Sequence, residues 1–194
     1  MSDIEKKLEP LNEMGIETAL GELRREKVFR PFIAERLVTR GPALIPAVKQ
    51  TMADTDDLDL QIVCGLILFY LGDHDGVPYM LKAIEEQTDW MCLAASKLAY
   101  GHVSEAGPYI IEQLRDLPLT KMDEITALIQ AMIKLGEPIP EDIKERLTSS
   151  LASKDSIDGV GEDATSTEAG LTRRCSGGRE ASFTWFHQCY ARPR

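Results

Sequence analysis

The sequence predicts an all-α chain of stacked helical hairpins. Three observations carry this: a helix opened by proline recurs every 30 to 32 residues, an apolar helix ending at glycine precedes each recurrence, and acids stand at the starts of those apolar helices. The proline-led segments are IPAVKQTM from Ile45, VPYMLKAI from Val77, GPYIIEQL from Gly107 and IPEDIKERL from Ile139. Proline fits a first helical turn because the N–H it lacks has no intrahelical partner there.

Taken in order, residues 1–27 carry Leu8, Leu11, Ile16, Leu20 and Leu23 at helical spacing, and are expected to cap the first repeat. Residues 28–152 hold the repeats. Their first helices are FIAERLVTRG to Gly41, IVCGLILFYLG to Gly72, CLAASKLAYG to Gly101 and ALIQAMIKLG to Gly136, each glycine supplying a left-handed stop. Asp59, Asp89 and Asp123 are placed as N-caps or first-turn acids. Seven residues before the glycines stand Ala34, Gly65, Ala94 and Ile129, three of them small enough for close helix approach. A lone hairpin cannot bury its apolar face, so the units are expected to stack as an α-solenoid of about four hairpins. From 153 to 194 the chain is rich in Ser, Thr, Gly and charge, and disorder is expected. Its end, FTWFHQCYARPR, has the composition of a linear docking peptide or of a tail foreign to the rest.

The segments LGDHDGVP (71–78), YGHVSEAGP (100–108) and LGEPIP (135–140) resemble the short HEAT-like repeats of the HEAT and armadillo superfamily, in the form known from phycobilin lyase-type proteins. The resemblance covers about residues 28–150 and implies architecture. For some relatives it also implies a lyase-like chaperone that holds a tetrapyrrole, which is the alternative function. Repeats of this type in deoxyhypusine hydroxylase carry His-Glu dipeptides for iron; the equivalents here, His74-Asp75 and His102-Val103, lack that motif.

Charge and motifs narrow the function classes. With 22 Lys and Arg against 32 Asp and Glu, the net charge of -10 argues against nucleic-acid binding. The longest apolar run, Ile62 to Leu71, is too short to span a bilayer, and MSDIEKKLEP has no secretory apolar region, so a cytoplasmic protein is expected. Cys64 and Cys92 sit in apolar helical patterns as core residues. The run DTDDLD (54–59) lacks the glycine and glutamate of a calcium loop, and is expected to be a solvated loop and helix cap. No hydrolase, phosphate-loop, dinucleotide or zinc-protease motif appears. The expectation is a non-enzymatic protein without cofactor or metal.

Counting from each proline of the second helices, positions +2, +3 and +6 are mostly apolar, as in Met80, Leu81 and Ile84 and in Ile110, Ile111 and Leu114. Positions +1, +4, +5 and +8 share another face. That face carries Asp54 in the first unit, Tyr79, Lys82 and Glu86 in the second, and Tyr109, Glu112, Gln113 and Asp116 in the third. Tyrosines among acids suit the capture of a basic protein, with the chain acting as scaffold, adaptor or immunity-type inhibitor.

Overall fold

Proline and left-handed residues set most element boundaries. The structure, a computed structural model, describes residues 14–155. Within them lie nine α-helices: α1 Ile16–Arg25, α2 Arg30–Val38, α3 Ile45–Ala53, α4 Leu58–Tyr70, α5 Val77–Glu85, α6 Met91–Tyr100, α7 Ala106–Asp116, α8 Met122–Leu135 and α9 Glu141–Asp155. Short 3-10 turns stand at Lys27–Phe29, Pro42–Leu44 and His74–Gly76. The described chain is all-helical. Pro46 and Pro78 take the second positions of α3 and α5, Pro108 the third of α7, and Pro140 immediately precedes α9.

Of the expected hairpins, α4 packs on α5 and α6 on α7, and across the boundaries between units α3 packs on α4, α5 on α6 and α7 on α8. Among first helices α2 packs on α4 and α6 on α8; among second helices α5 packs on α7. α1, the described part of the expected cap, packs on both α2 and α3, as a second helix would. α9 continues to Asp155, past the boundary expected at 153. The rest of the expected tail and residues 1–13 lie outside the described residues. No helix among the described residues is long and apolar enough to cross a membrane.

Helix ends correct one sequence expectation. Gly72 (φ 83°) and Gly136 (φ 77°) are left-handed stops, with Asp73 and Glu137 N–H donating back to the carbonyls of Leu68 and Met132. In the third unit this role falls to His102 (φ 56°), while Gly101 stays right-handed at φ -81°. Gly101 serves close approach instead: a Cβ there would lie 2.3 Å from Cζ of Phe69. The stop therefore moves one residue on. Gly101→Ala is expected to destabilise the chain by about 1–3 kcal/mol. Removing the obstructing ring with Phe69→Ala should recover part of that, a coupling of about 1 kcal/mol or more in a urea-unfolding double-mutant cycle; additive effects would refute the contact.

Two apolar clusters form the interior. The first joins α1 to α4 through Leu20, Leu23, Ile33, Leu37, Val48 and Ile67; the second runs from α4 to α9 through Ile62, Leu66, Met80, Ile84, Leu98, Ile110, Leu128 and Ile143. α4 belongs to both, and residues 62–68 are all buried. This explains its unbroken apolar run, since a helix covered on every side needs no polar face. At Gly65, α4 meets the turn before α5: a Cβ on Gly76 would sit 2.2 Å from the Gly65 carbonyl oxygen. The small residue seven places before Gly72 is thus a close-approach site, but what it approaches is the turn of its own hairpin rather than the neighbouring unit expected from the sequence.

Candidate protein-binding face

The face expected to meet a partner divides once the helices are placed. Lys82, Glu86, Glu112 and Asp116 are exposed on the neighbouring helices α5 and α7 or their ends. Lys82 Nζ lies 3.5 Å from Glu86 Oε1 one turn on. Glu112 and Asp116, also one turn apart, leave α7 with two solvent-facing carboxylates. Asp54, exposed after α3, accepts from Gln50 Nε2 at 2.7 Å and lies 4.0 Å from Arg24 Nη2 of α1. Its charge is offset from within the chain.

In the first three units position +5 does not belong to the exposed face. Thr51, Ala83 and Gln113 are buried. Thr51 Oγ1 accepts from Arg24 Nη2 at 3.2 Å, and Gln113 Nε2 donates to the Glu85 carbonyl at 3.2 Å, so this side of each second helix turns to the preceding one. Gln113, expected at the surface, is instead a lateral link between α7 and α5. Tyr79 and Tyr109 are half-buried, Tyr79 packed against the N-terminal cluster and Tyr109 against the other. Both rings contribute to the interior as well as to the edge of the face.

The DTDDLD run is more than a solvated loop. Arg30, wholly buried at the start of α2, donates through Nη2 to Asp57 Oδ2 (2.8 Å) and through Nη1 to Asp59 Oδ2 (2.6 Å). It also binds the carbonyls of Leu23 (3.1 Å) and Arg24 (3.3 Å) at the end of α1. Asp57 caps α4 by accepting from Leu60 N–H at 3.3 Å, and Trp90 Nε1 donates to Asp59. The Arg30 guanidinium, Lys27 and the Leu60 N–H hold the Asp57 carboxyl well below the usual carboxylate range. One guanidinium thus ties α1, α2 and α4 together, and Asp59 extends the tie to the turn before α6. Asp59 and Asp123 are first-turn acids as expected, whereas Asp89 lies in that turn, where Thr88 Oγ1 accepts from Trp90 N–H at 3.3 Å.

Further links run one unit along the chain. Lys49 pairs with Asp73 (2.7 Å) and Asp75 (2.6 Å), Arg115 with Asp142 (2.8 Å), and Arg146 donates to the Leu114 and Arg115 carbonyls at the end of α7. Lys97 Nζ lies 5.3 Å from the Tyr70 ring centroid and 5.9 Å from that of Tyr100, which also meets Lys134 Nζ at 4.9 Å. These cation–π contacts join α4, α6 and α8.

His74 rests edge-on against Phe69, with centroids 5.7 Å apart. Among the described residues no group of three or more His, Cys, Asp or Glu is placed to hold a metal. Burial pushes the Cys64 thiol up to about 12 and that of Cys92 up to about 11, so both behave as apolar side chains at neutral pH. No family model matches the chain, and neither a curated protein nor a solved structure matches it.

Proposed function

We propose that the chain is a non-enzymatic adaptor or inhibitor, a HEAT-like stack that captures a basic protein on its second helices. The observation that carries this reading is the exposed acid of the neighbouring helices α5 and α7: Glu86, Glu112 and Asp116 face solvent, with Lys82 as the cation among them. Residues 51–149 hold eighteen Asp and Glu against seven Lys and Arg, so the long-range field of this part is negative. Such a field steers a basic partner to the surface and rejects acidic ones. The packing of α4 on α5 and of α6 on α7, with the links from one repeat to the next, supports the HEAT-like reading of the architecture.

The test uses the full chain as bait in a native lysate at low ionic strength, beside Glu112→Lys/Asp116→Lys. These two side chains are exposed, so their reversal leaves the interior untouched, which replacement of Tyr79 or Tyr109 would not. The expected result is a basic protein held by the unaltered chain, released as salt rises, and lost by the reversed variant. A partner retained in high salt and by the reversed variant would overturn the proposal.

A further inference from the structure

Among the described residues three large apolar side chains are exposed, Val28, Met122 and Ile133. Two of them share α8, where Met122 is 40 % and Ile133 67 % exposed. They lie on one side of the helix, about three turns apart, with the exposed Thr126 and the half-buried Ile129 between them on that side. Ile125, Leu128, Ala131 and Met132 of the same helix are buried, and α8 packs on α6 and α7. The stripe of Met122, Ile129 and Ile133 is what remains after α8 has met these neighbours. α8 is the last of the hairpin-opening helices among the described residues, and a repeat array ordinarily closes with a polar outer face. Here the outer side is apolar at three positions of four.

Charge beside the stripe says what fits it. Asp123 and Lys134 are exposed and fall on the same flank, at about 100° and 120° around the helix from Met122, one near its start and the other at its end. Among the described residues neither makes an ion pair within the chain, and Lys134 Nζ rests over the Tyr100 ring at 4.9 Å. A two-fold axis perpendicular to the plane of a helix pair reverses direction and keeps the flank. It sets Met122 against Ile133 of a second copy and Thr126 against Ile129, because each pair is symmetric about the middle of α8. The same operation brings Asp123 of each chain level with Lys134 of the other. Parallel pairing offers no such match, since like residues then share a level on opposite flanks.

We propose that α8 of one chain docks antiparallel on α8 of a second copy, forming a two-fold dimer. Met122, Ile129 and Ile133 fill the contact, and Asp123 and Lys134 pair across it at both ends. Each chain contributes one helix of 14 residues, about 21 Å long, so the contact is at the small end of specific interfaces and the dimer is reversible. The acidic residues of α5 and α7 take no part in it. Each dimer therefore presents the acidic face twice, which favours a partner with two basic segments.

Sedimentation velocity of the full chain from about 1 to 200 μM tests the pairing. The expected result is a concentration-dependent species of twice the 21.6 kDa chain mass. Met122→Glu/Ile133→Glu, at exposed positions, should weaken association at least about tenfold with the circular dichroism spectrum unchanged, because it places carboxylates in an apolar contact. Asp123→Lys and Lys134→Glu should each weaken it by setting like charges side by side, and the two together should restore it. A chain that stays monomeric at the highest concentration would overturn the proposal and leave the stripe to a different protein. Species growing beyond the dimer would overturn it in favour of head-to-tail stacking. A dimer that withstands Met122→Glu/Ile133→Glu forms elsewhere and would overturn it too. A charge exchange that restores nothing would overturn the antiparallel register.

Discussion

Replacing Asp57 and Asp59 together by alanine is expected to destabilise the chain by about 3–5 kcal/mol, because it leaves the buried Arg30 charge without a counter-ion. The reverse truncation is milder. Arg30→Met removes the buried charge itself, and the carboxylates left behind are partly hydrated, with side-chain exposures of 28 % for Asp57 and 42 % for Asp59. Water screens such groups, so the expected loss is about 1–2 kcal/mol, mainly for the unmet Leu23 and Arg24 carbonyls. Urea-unfolding midpoints followed by far-UV circular dichroism would rank the two, and equal losses would refute the asymmetry. Acid adds a second signature. The folded-state carboxyl of Asp57 titrates below its unfolded value, so its contribution is complete above about pH 4 and is lost as pH falls towards the folded-state value. The gap between the unaltered chain and the double alanine variant should therefore narrow in acid.

Gly76→Ala is expected to be comparably severe, above about 3 kcal/mol, since overpacking against backbone exceeds the usual range for a side-chain clash. Its added Cβ would meet the Gly65 oxygen at 2.2 Å and the Gly65 carbonyl carbon and Cα at 2.8 Å. None of these atoms belongs to a rotatable side chain, so relief requires the turn before α5 to lift off α4. Gly65→Ala meets the Gly76 oxygen at 2.9 Å and Tyr79 Cβ at 3.3 Å, a milder obstruction. Thermal unfolding should rank Gly76→Ala well below Gly65→Ala. A Gly76→Ala chain as stable as the unaltered one would show that the close approach is not essential.

The helix punctuation was legible because proline and glycine act through the local backbone. Pro46, Pro78, Gly72 and Gly136 need no knowledge of the rest of the chain to do what they do. Where a distant residue decides, the pattern misleads: Gly101 looks like a left-handed stop, but it is glycine because of the Phe69 ring, 32 residues earlier. The Arg30 tie was invisible for the same reason, since its carboxylate partners stand 27 and 29 residues away. On the candidate face, a single helix separates its hairpin side from the remainder and carries no record of lateral neighbours. Burial of position +5 in the first three units is therefore not legible from one helix, although Thr51, Ala83 and Gln113 share one readable trait: none is charged.

The sharing of α4 by both apolar clusters has a consequence during synthesis. As the chain leaves a ribosome, Leu60, Val63, Ile67 and Leu68 close the N-terminal cluster once residue 68 has emerged. The opposite side of the same helix, Ile62 and Leu66, has its partners Met80 and Ile84 still to come. At about 5–20 residues per second that side of the nascent helix stays uncovered for roughly one to three seconds. A chaperone that binds apolar stripes has its opening there, on a surface that the finished protein no longer displays.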